Sequence, residues 1–526
     1  MSSVAAVGQV GCPLVSWGAM PYFLTTPIYY VNSKPHIGHA YTTCAADILV
    51  RHMQQRGEET FFLTGVDEHA TKVFRVAQDL GLAPQDYVDQ IAEVWRELPR
   101  RLNAEPDFFI RTSDEGHKTF VREFLQRIYD NGDVYEDVYT GLYCVGCEEF
   151  KAESDLVDGR CAIHETLPES IEERNYFFRL SAYQDKLLEI YDAQPDLVLP
   201  GFRFNEARSF IAGGLQDFSI SRASQPWGIP LPWDEGQVAY VWADALINYL
   251  SALTYARPGE DLREVFWPEA RHVMAKDILR FHCVYWPAML LSAGYTVPKQ
   301  IFVHGYLLGL DDKKMSKTLG NVVDPLDLID IYGADAVRYW CARAVSFGQD
   351  GIASLDGIHD RYERELGNDL GNLLSRTTAM IVKYRDGQIG TREGANAEIA
   401  AIVDEIRVEV AADLDRFDIT AAVDRIWLLV RYLNRYVTEL TPWTVAKDPE
   451  RAAELDAILY DLADGLRISA IALAAYLPET APKILEALGQ PLDLGWENVV
   501  YGRLVPVGGI GAAPPLFPRV ETLTAE

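Results

Sequence analysis

Two histidines bracket a glycine at His36-Ile-Gly-His39, and much further along two lysines flank a hydroxyl in Lys314-Met-Ser-Lys-Thr318. Histidines three apart share a helix face, and as donors or cations both can stabilise charge developing on an attacked phosphate. Gly38 leaves room for a ligand to approach the backbone. Lys314 and Lys317, with the hydroxyls of Ser316 and Thr318, suit a pentacoordinate phosphate as pyrophosphate departs. A third group is Cys144-x-x-Cys147 with Cys161-x-x-His164. These are four soft ligands, the closed tetrahedral set of one structural zinc, with no position left for a reacting water. Its work would be to fold a segment that has little core of its own. Each group alone has a plain alternative, such as helix-cap histidines or a solvated basic turn, so their order and context decide.

The elements around these groups have a consistent pattern. Tyr22 to Tyr30 is aromatic and β-branched, a buried strand. Asn32, Pro35 and Gly38 break it, a helical pattern runs from about 37 to 55, and a second strand follows over 59–65. Strand, glycine turn, helix and strand open a doubly wound nucleotide-binding fold, in which the helix start receives phosphates. From about 131 the texture becomes acidic and cysteine-bearing. Strand signals return over 238–242 and 300–305, with a helix from 277 to 291 between them. The expected class is therefore α/β: a Rossmann-like parallel-sheet domain split by a zinc-bearing insertion. After Tyr332 the chain reads as helical. Val423, Ile426, Val430, Leu433, Val437 and Leu440 form one apolar stripe, and Leu455, Leu459, Leu462, Leu466 and Leu473 another. This is an α-helical bundle, closed by a Gly-, Pro- and Val-rich strap.

Composition excludes less than motifs do. The 526 residues are too many for one core, and the 48% hydrophobic, 24% charged mix is that of ordinary globular proteins. No apolar run approaches the ~18–20 residues that span a bilayer. Residues 1–19 lack Lys and Arg and do not read as a secretory signal, so a cytoplasmic protein is expected. Seven cysteines without a signal do not suggest a disulfide framework. The net charge of −29 opposes nucleic-acid binding in total, but a local basic face suffices. Arg361, Arg364, Arg425, Arg431 and Arg435 are candidates for one.

In this order, His36-Ile-Gly-His39 and Lys314-Met-Ser-Lys-Thr318 resemble the HIGH and KMSKS signatures of class I aminoacyl-tRNA synthetases. Thr64-Gly-Val-Asp-Glu-His69, Tyr240-Val-Trp-Ala-Asp-Ala245 with Tyr249, and Ala275-Lys-Asp-Ile278 with Phe281-His282 look like the methionyl-tRNA synthetase family. The resemblance implies a methionine–tRNA ligase that attacks the α-phosphate of ATP, accompanied by Mg²⁺, with the methionine carboxylate. It places His36, Gly38, His39, Lys276, Asp277, Lys314, Ser316, Lys317 and Thr318 at ATP, with His36, His39, Lys314 and Lys317 as the catalytic groups. Ile28, Trp242, Ala245, Tyr249 and His282 would line the methionine side chain, whose polarisable sulfur gains from aromatic contacts. Asp67 would hold the α-amino group. Asn372, Arg376 and Trp443 would face the anticodon of tRNA(Met), initiator tRNA included. The expected division is an extension at 1–20 and catalytic halves at 21–130 and 237–330, with the connective insertion and zinc knuckle at 131–236. A linker region at 331–380 and a helical anticodon-binding domain with strap at 381–526 complete a monomer. The insertion is short for an editing domain plus a zinc module, which counts against the isoleucine, valine and leucine enzymes. The cysteine enzyme, a silent RNA-binding paralogue and a small-molecule adenylyltransferase remain as alternatives.

Overall fold

The computed structural model describes residues 20–151, 153, 156–162, 164–308, 324–352 and 354–520, so the Lys314–Thr318 motif lies outside the described residues. The central sheet has six parallel strands: β1 Tyr22–Tyr30, β2 Thr60–Asp67, β3 Phe108–Arg111, β4 Val198–Leu199, β5 Ala270–Ala275 and β6 Gln300–His304. Their spatial order is 3-2-1-5-6-4. The order reverses between β1 and β5, which pair from Phe23–Ala270 to Thr25–His272. In open α/β sheets the crevice beyond the strand ends at such a point receives ligands. Pro27 lies inside β1 and cannot donate to the ladder, and the β1–β2 register slips between Thr25 and Ile28. Pairing with β2 resumes in the shifted register, from Ile28–Gly65 to Tyr30–Asp67, so the residues that reach the crevice stay tied to the sheet on that side.

Helix α1, Ile37–Gln55, follows β1 and is buried along most of its length. α2, Thr71–Asp79, and α3, Pro84–Arg101, follow β2. The bundle comprises α4 Asn372–Arg385, α5 Ala397–Asp415, α6 Ile419–Leu440 and α7 Ala452–Leu473. Both expected apolar stripes are in its core. The exception is Leu440, which is 37% exposed at the end of α6. The fully buried Arg338 joins sheet layer and bundle: it pairs with Asp47 of α1 at 2.6 Å and donates to the carbonyls of Leu102, Ala475 and Tyr476. The strap returns along the bundle, where Ile389 bridges Val507 and the Tyr362 hydroxyl donates to the Pro518 carbonyl at 2.7 Å. No helix among the described residues is long and apolar enough to cross a membrane.

Between β3 and β5 the chain builds a separate antiparallel sheet from Val134–Cys144, Glu149–Lys151, Glu169–Phe178 and Phe218–Ser219. β4 comes from within the 131–236 stretch yet adds the edge of the main sheet.

Two sequence expectations change. Only Val238–Ala239 is strand, and Val241–Ala245 is helical, opened by the extended Tyr240 whose carbonyl accepts from Asp244 N at 3.0 Å. The Trp-Ala-Asp-Ala-Leu run favours helix over the aromatic strand signal. The helix expected over 277–291 is instead a 3₁₀ turn, a π turn at Phe281–Tyr285 and an α-helix from Trp286. Pro287 has no N–H for the Cys283 carbonyl, which accepts the Tyr191 hydroxyl at 2.7 Å.

Candidate active site

The N-terminus of α1 is capped by the two histidines themselves. His36 Nδ1 accepts from Gly38 N at 3.1 Å, and His39 Nδ1 accepts from His36 N at 3.0 Å. This is the reciprocal logic of a capping box with imidazoles in place of Ser and Glu. A backbone N–H can only donate, so each Nδ1 is an acceptor and the neutral ring carries its proton on Nε2. The two rings lie 3.7 Å apart, and His39 also meets Tyr29 and Trp95, each at 4.7 Å. Trp95 is fixed by its Nε1 donating to the Ser33 carbonyl at 3.0 Å. A Cβ on residue 38 would stand 3.0 Å from the His36 ring, so any side chain there would press the capping imidazole out of place by a few tenths of an ångström.

These residues border a cleft of about 420 Å³ at the β1–β5 switch point. Ile28, His36, Gly38, His39, Asp67, Trp242, Ala245, Tyr249, Asp277 and His282 all line it, so one crevice gathers most of the residues the sequence singled out. Lys276 is not itself on the lining: it pairs with Asp350 at 2.5 Å and lies over the ring of Tyr306, which lines the cleft. Lys314, Ser316, Lys317 and Thr318 fall outside the described residues.

Asp67 ends β2 and is 2% exposed. Burial, with Asp244 nearby, pushes its carboxyl well above the ordinary range, and Lys72 partly offsets this. A buried carboxylate of this kind is a receptor for a cation. The turn after it is held from two sides. Glu68 takes the Arg111 guanidinium at 2.7 Å. His69 Nδ1 bonds Asp244 Oδ2 at 2.6 Å, and the other Asp244 oxygen bonds His117 Nε2 at 2.7 Å.

The apolar end of the cleft is aromatic. Trp242 stacks on Phe281 at 3.9 Å, and Tyr30 stands edge-on to Trp242. His282 Nδ1 donates to the Ile278 carbonyl at 3.0 Å, so its Nε2 accepts the Tyr249 hydroxyl at 2.7 Å. Burial lowers His282 to about 4, which keeps the ring neutral. The single hydroxyl proton of Tyr249 is therefore already engaged. Trp242 Nε1 and the Tyr30 hydroxyl are buried without a partner among the described residues, and a bound ligand could satisfy such atoms. Tyr29 and Tyr30 line the cleft as well, and sequence reading missed both by treating them only as strand residues.

Cys144, Cys147, Cys161 and His164 converge, with their ligand atoms within 4.8 Å of one another. Cys147 Sγ is 3.5 Å from Cys161 Sγ and 3.2 Å from His164 Nδ1. Separations of this size match the edges of a tetrahedron around one metal ion with ~2.0–2.3 Å bonds. A Cβ on Gly146 would strike the His164 ring at 2.7 Å, so glycine admits the fourth ligand. The knuckle also borders the cleft, through Gly146, Cys147, Glu149 and His164.

Residues 22–155 and 151–378 match the family described as tRNA synthetases class I (M). The methionine–tRNA ligase of Caldanaerobacter subterraneus subsp. tengcongensis is 42% identical over 504 residues, which cover 95% of this chain and 79% of that one. The chain belongs to the class I methionyl-tRNA synthetase family. The Streptomyces coelicolor methionine–tRNA ligase is likewise 42% identical, over 96% of this chain and 97% of its own. Among solved structures, Mycobacterium tuberculosis methionyl-tRNA synthetase in complex with methionyl-adenylate aligns with a TM-score of 0.91 and 39% identity. That match covers 95% of this chain and 100% of that one. Its apo form gives 0.84 at 36% identity, over 96% and 99%.

The residues expected at the anticodon lie in the bundle. Asn372 begins α4, and Arg376 donates to Asn434 of α6 at 2.9 Å, while its buried Nε has no partner among the described residues. Trp443 follows the left-handed Thr441 and is 43% exposed. The basic face expected from five arginines is largely offset. Arg361 pairs with Glu365, Arg364 with Asp360, Arg425 with Glu405, Glu409 and Asp413, and Arg435 with Glu439. Charge in this region is thus patterned finely, with acids beside most of the cations.

Proposed function

We infer that this cleft carries out the family's reaction, the ATP-dependent joining of methionine to tRNA, in two steps. The methionine carboxylate attacks the α-phosphate of ATP in line, giving methionyl-adenylate and pyrophosphate. The methionyl group then passes to the 3′ end of tRNA(Met), initiator tRNA included. The observation that carries this reading is the pair of imidazoles capping α1 at the sheet's switch point, facing one crevice with Asp67 and an aromatic pocket. His36 and His39 offer Nε2–H donors to the phosphates beside the positive end of a long helix. Lys314 and Lys317, with Ser316 and Thr318, would complete the charge stabilisation, and Mg²⁺ enters with ATP as part of the substrate. Asp277 is at the crevice for the adenosine. Lys276, paired with Asp350 over the Tyr306 ring at the cleft wall, stands beside it.

Asp67 holds the α-ammonium, an ion that restores the charge its burial opposes. Trp242, Tyr249, His282, Ile28 and Ala245 enclose the side chain. Because Tyr249 gives its proton to His282, the thioether meets ring faces and edges, the contacts that sulfur favours. Zinc is the metal that three thiolates and one imidazole suit best, in a structural role. Asn372, Arg376 and Trp443 read the anticodon by edge bonds and stacking. We place this activity in the cytoplasm.

Pyrophosphate exchange across all twenty amino acids is the test: exchange with methionine alone is expected, from a preparation that holds one zinc per chain. Exchange with another amino acid would overturn the pocket assignment. Trp443→Ala should leave exchange intact while lowering kcat/KM for tRNA about 10–100-fold, the value of one lost stacked base. Equal loss in both assays would remove Trp443 from the anticodon site.

A further inference from the structure

Lys72 is a half-buried cation on the lining of the cleft that the reaction above does not use. It occupies the first turn of α2, directly after the Asp67–His69 turn, where the helix dipole disfavours positive charge. Its backbone N–H donates to Glu148 Oε1 at 2.8 Å, and its ammonium donates to the Gly146 carbonyl at 3.2 Å. Both partners belong to the metal knuckle: Gly146 lies between Cys144 and Cys147, and Glu148 follows Cys147. Glu148 is itself fully buried and further fixed, its carboxylate by the Tyr143 hydroxyl and its carbonyl by the Tyr240 hydroxyl. On its other side the Lys72 ammonium lies 3.4 Å from the centroid of the Tyr30 ring.

Tyr30 is the wall that needs such a hold. Its hydroxyl is buried without a partner among the described residues, so no hydrogen bond sets the ring's orientation. What orients it is the ammonium on its face and the edge of Trp242. A cation–π contact adds to the packing of Tyr30 against the core in holding the ring's tilt. The knuckle, Lys72, Tyr30 and Trp242 thus form a continuous line from the metal site to the aromatic end of the cleft.

We infer that Lys72 is a positioning residue for the amino-acid subsite, the strut through which the metal knuckle holds Tyr30 against bound methionine. The inference rests on the reading of the cleft as the methionine site. The knuckle, which borders the cleft through Cys147 and His164, then also acts on substrate binding through the Lys72 side chain.

The test is pyrophosphate exchange by the full-length enzyme, its Lys72→Met, Lys72→Arg and Tyr30→Leu variants, and the double variant Lys72→Met/Tyr30→Leu, with metal content measured for each. Lys72→Met keeps the aliphatic stem and removes the charge. It should raise KM for methionine about tenfold, with KM for ATP and the metal content unchanged. Lys72→Arg, which keeps a cation for the ring face, should recover most of that loss. In the Tyr30→Leu background, Lys72→Met should cost nothing further, because the strut has lost what it supports. A KM for methionine unchanged in Lys72→Met overturns the inference. So does the same loss in both backgrounds, or a parallel rise in both KM values accompanied by loss of metal. Absence of methionine-dependent exchange in the unaltered enzyme would instead overturn the reading of the cleft, and the inference with it.

Discussion

His39→Ala is expected to slow methionine-dependent pyrophosphate exchange by about 10²–10³-fold, the cost of removing one preorganised donor aimed at developing charge. The reason lies in how little freedom the ring has. Its Nδ1 is occupied by the His36 N–H, and its faces and edges meet His36, Tyr29 and Trp95. The Nε2–H direction is therefore set before substrate arrives, and no reorganisation is needed at the moment of reaction. The same substitution removes half of the cap of α1, which costs about 1 kcal/mol of helix stability. That loss is too small to unfold a helix buried along most of its length, so turnover should fall while the fold survives. KM for methionine should barely move, because the lost contact is made to phosphate as the transition state forms. His39→Asn separates the two roles: its oxygen can accept the His36 N–H while its amide group donates outward. It should retain more activity than alanine. An alanine variant with undiminished turnover would show that the phosphates do not lie at this helix end.

The sequence made the chemistry more legible than the sheet that carries it. β1, α1 and β2 were visible because each is long and has one clear period or composition, and the breakers between them are strong. β5 went unread, although it is the central neighbour of β1: Ala-Arg-His-Val-Met-Ala holds one β-branched residue and two charged or titratable ones. His272 is fully buried there, bonded to Thr25 at 2.8 Å, and only the tertiary fold supplies that partner. β4 is two residues long and arrives from within the insertion, so no periodicity could mark it. The π turn that presents Phe281 and His282 depends on Pro287 and on a hydroxyl from Tyr191, far away in sequence.

The site was read better because motif residues cluster in the chain before they cluster in space. What stayed hidden is pairing at long range. Lys276 finds Asp350, Lys72 reaches Gly146 and Tyr30, and most of the arginines meant for RNA meet carboxylates. Asp244 is the strongest case. Within Tyr240-Val-Trp-Ala-Asp-Ala245 it reads as a polar residue on an aromatic strand, with nothing to suggest that it is wholly buried between two histidines.

Asp244→Ala is accordingly expected to lower the unfolding free energy by about 3–5 kcal/mol, the cost of breaking a buried ionic cluster from one side. Burial opposes the Asp244 charge, yet His69 and His117 outweigh it and hold the carboxyl at about 2 in the folded chain, against an ordinary 3.8. An ionised carboxylate only accepts, so His69 Nδ1 and His117 Nε2 both bring protons to it. Alanine leaves two buried N–H groups with no acceptor, and that penalty exceeds the loss of a surface pair. A folded-state value below the unfolded one means the stabilisation is fully present above about pH 4 and is lost as pH falls through about 2. The difference between the unaltered enzyme and Asp244→Asn in urea midpoint should therefore be widest near neutral pH and shrink in acid. Asparagine should cost less than alanine, since its oxygen can still accept from one ring. The effect must also reach the substrate: His69 N bonds Asp67 at 3.3 Å, so loosening His69 loosens the carboxylate expected to hold the α-ammonium. KM for methionine should rise in Asp244→Asn even at temperatures where the variant is fully folded. A midpoint that does not move with pH would show that the cluster is neutral, and an unchanged KM would confine it to holding the fold.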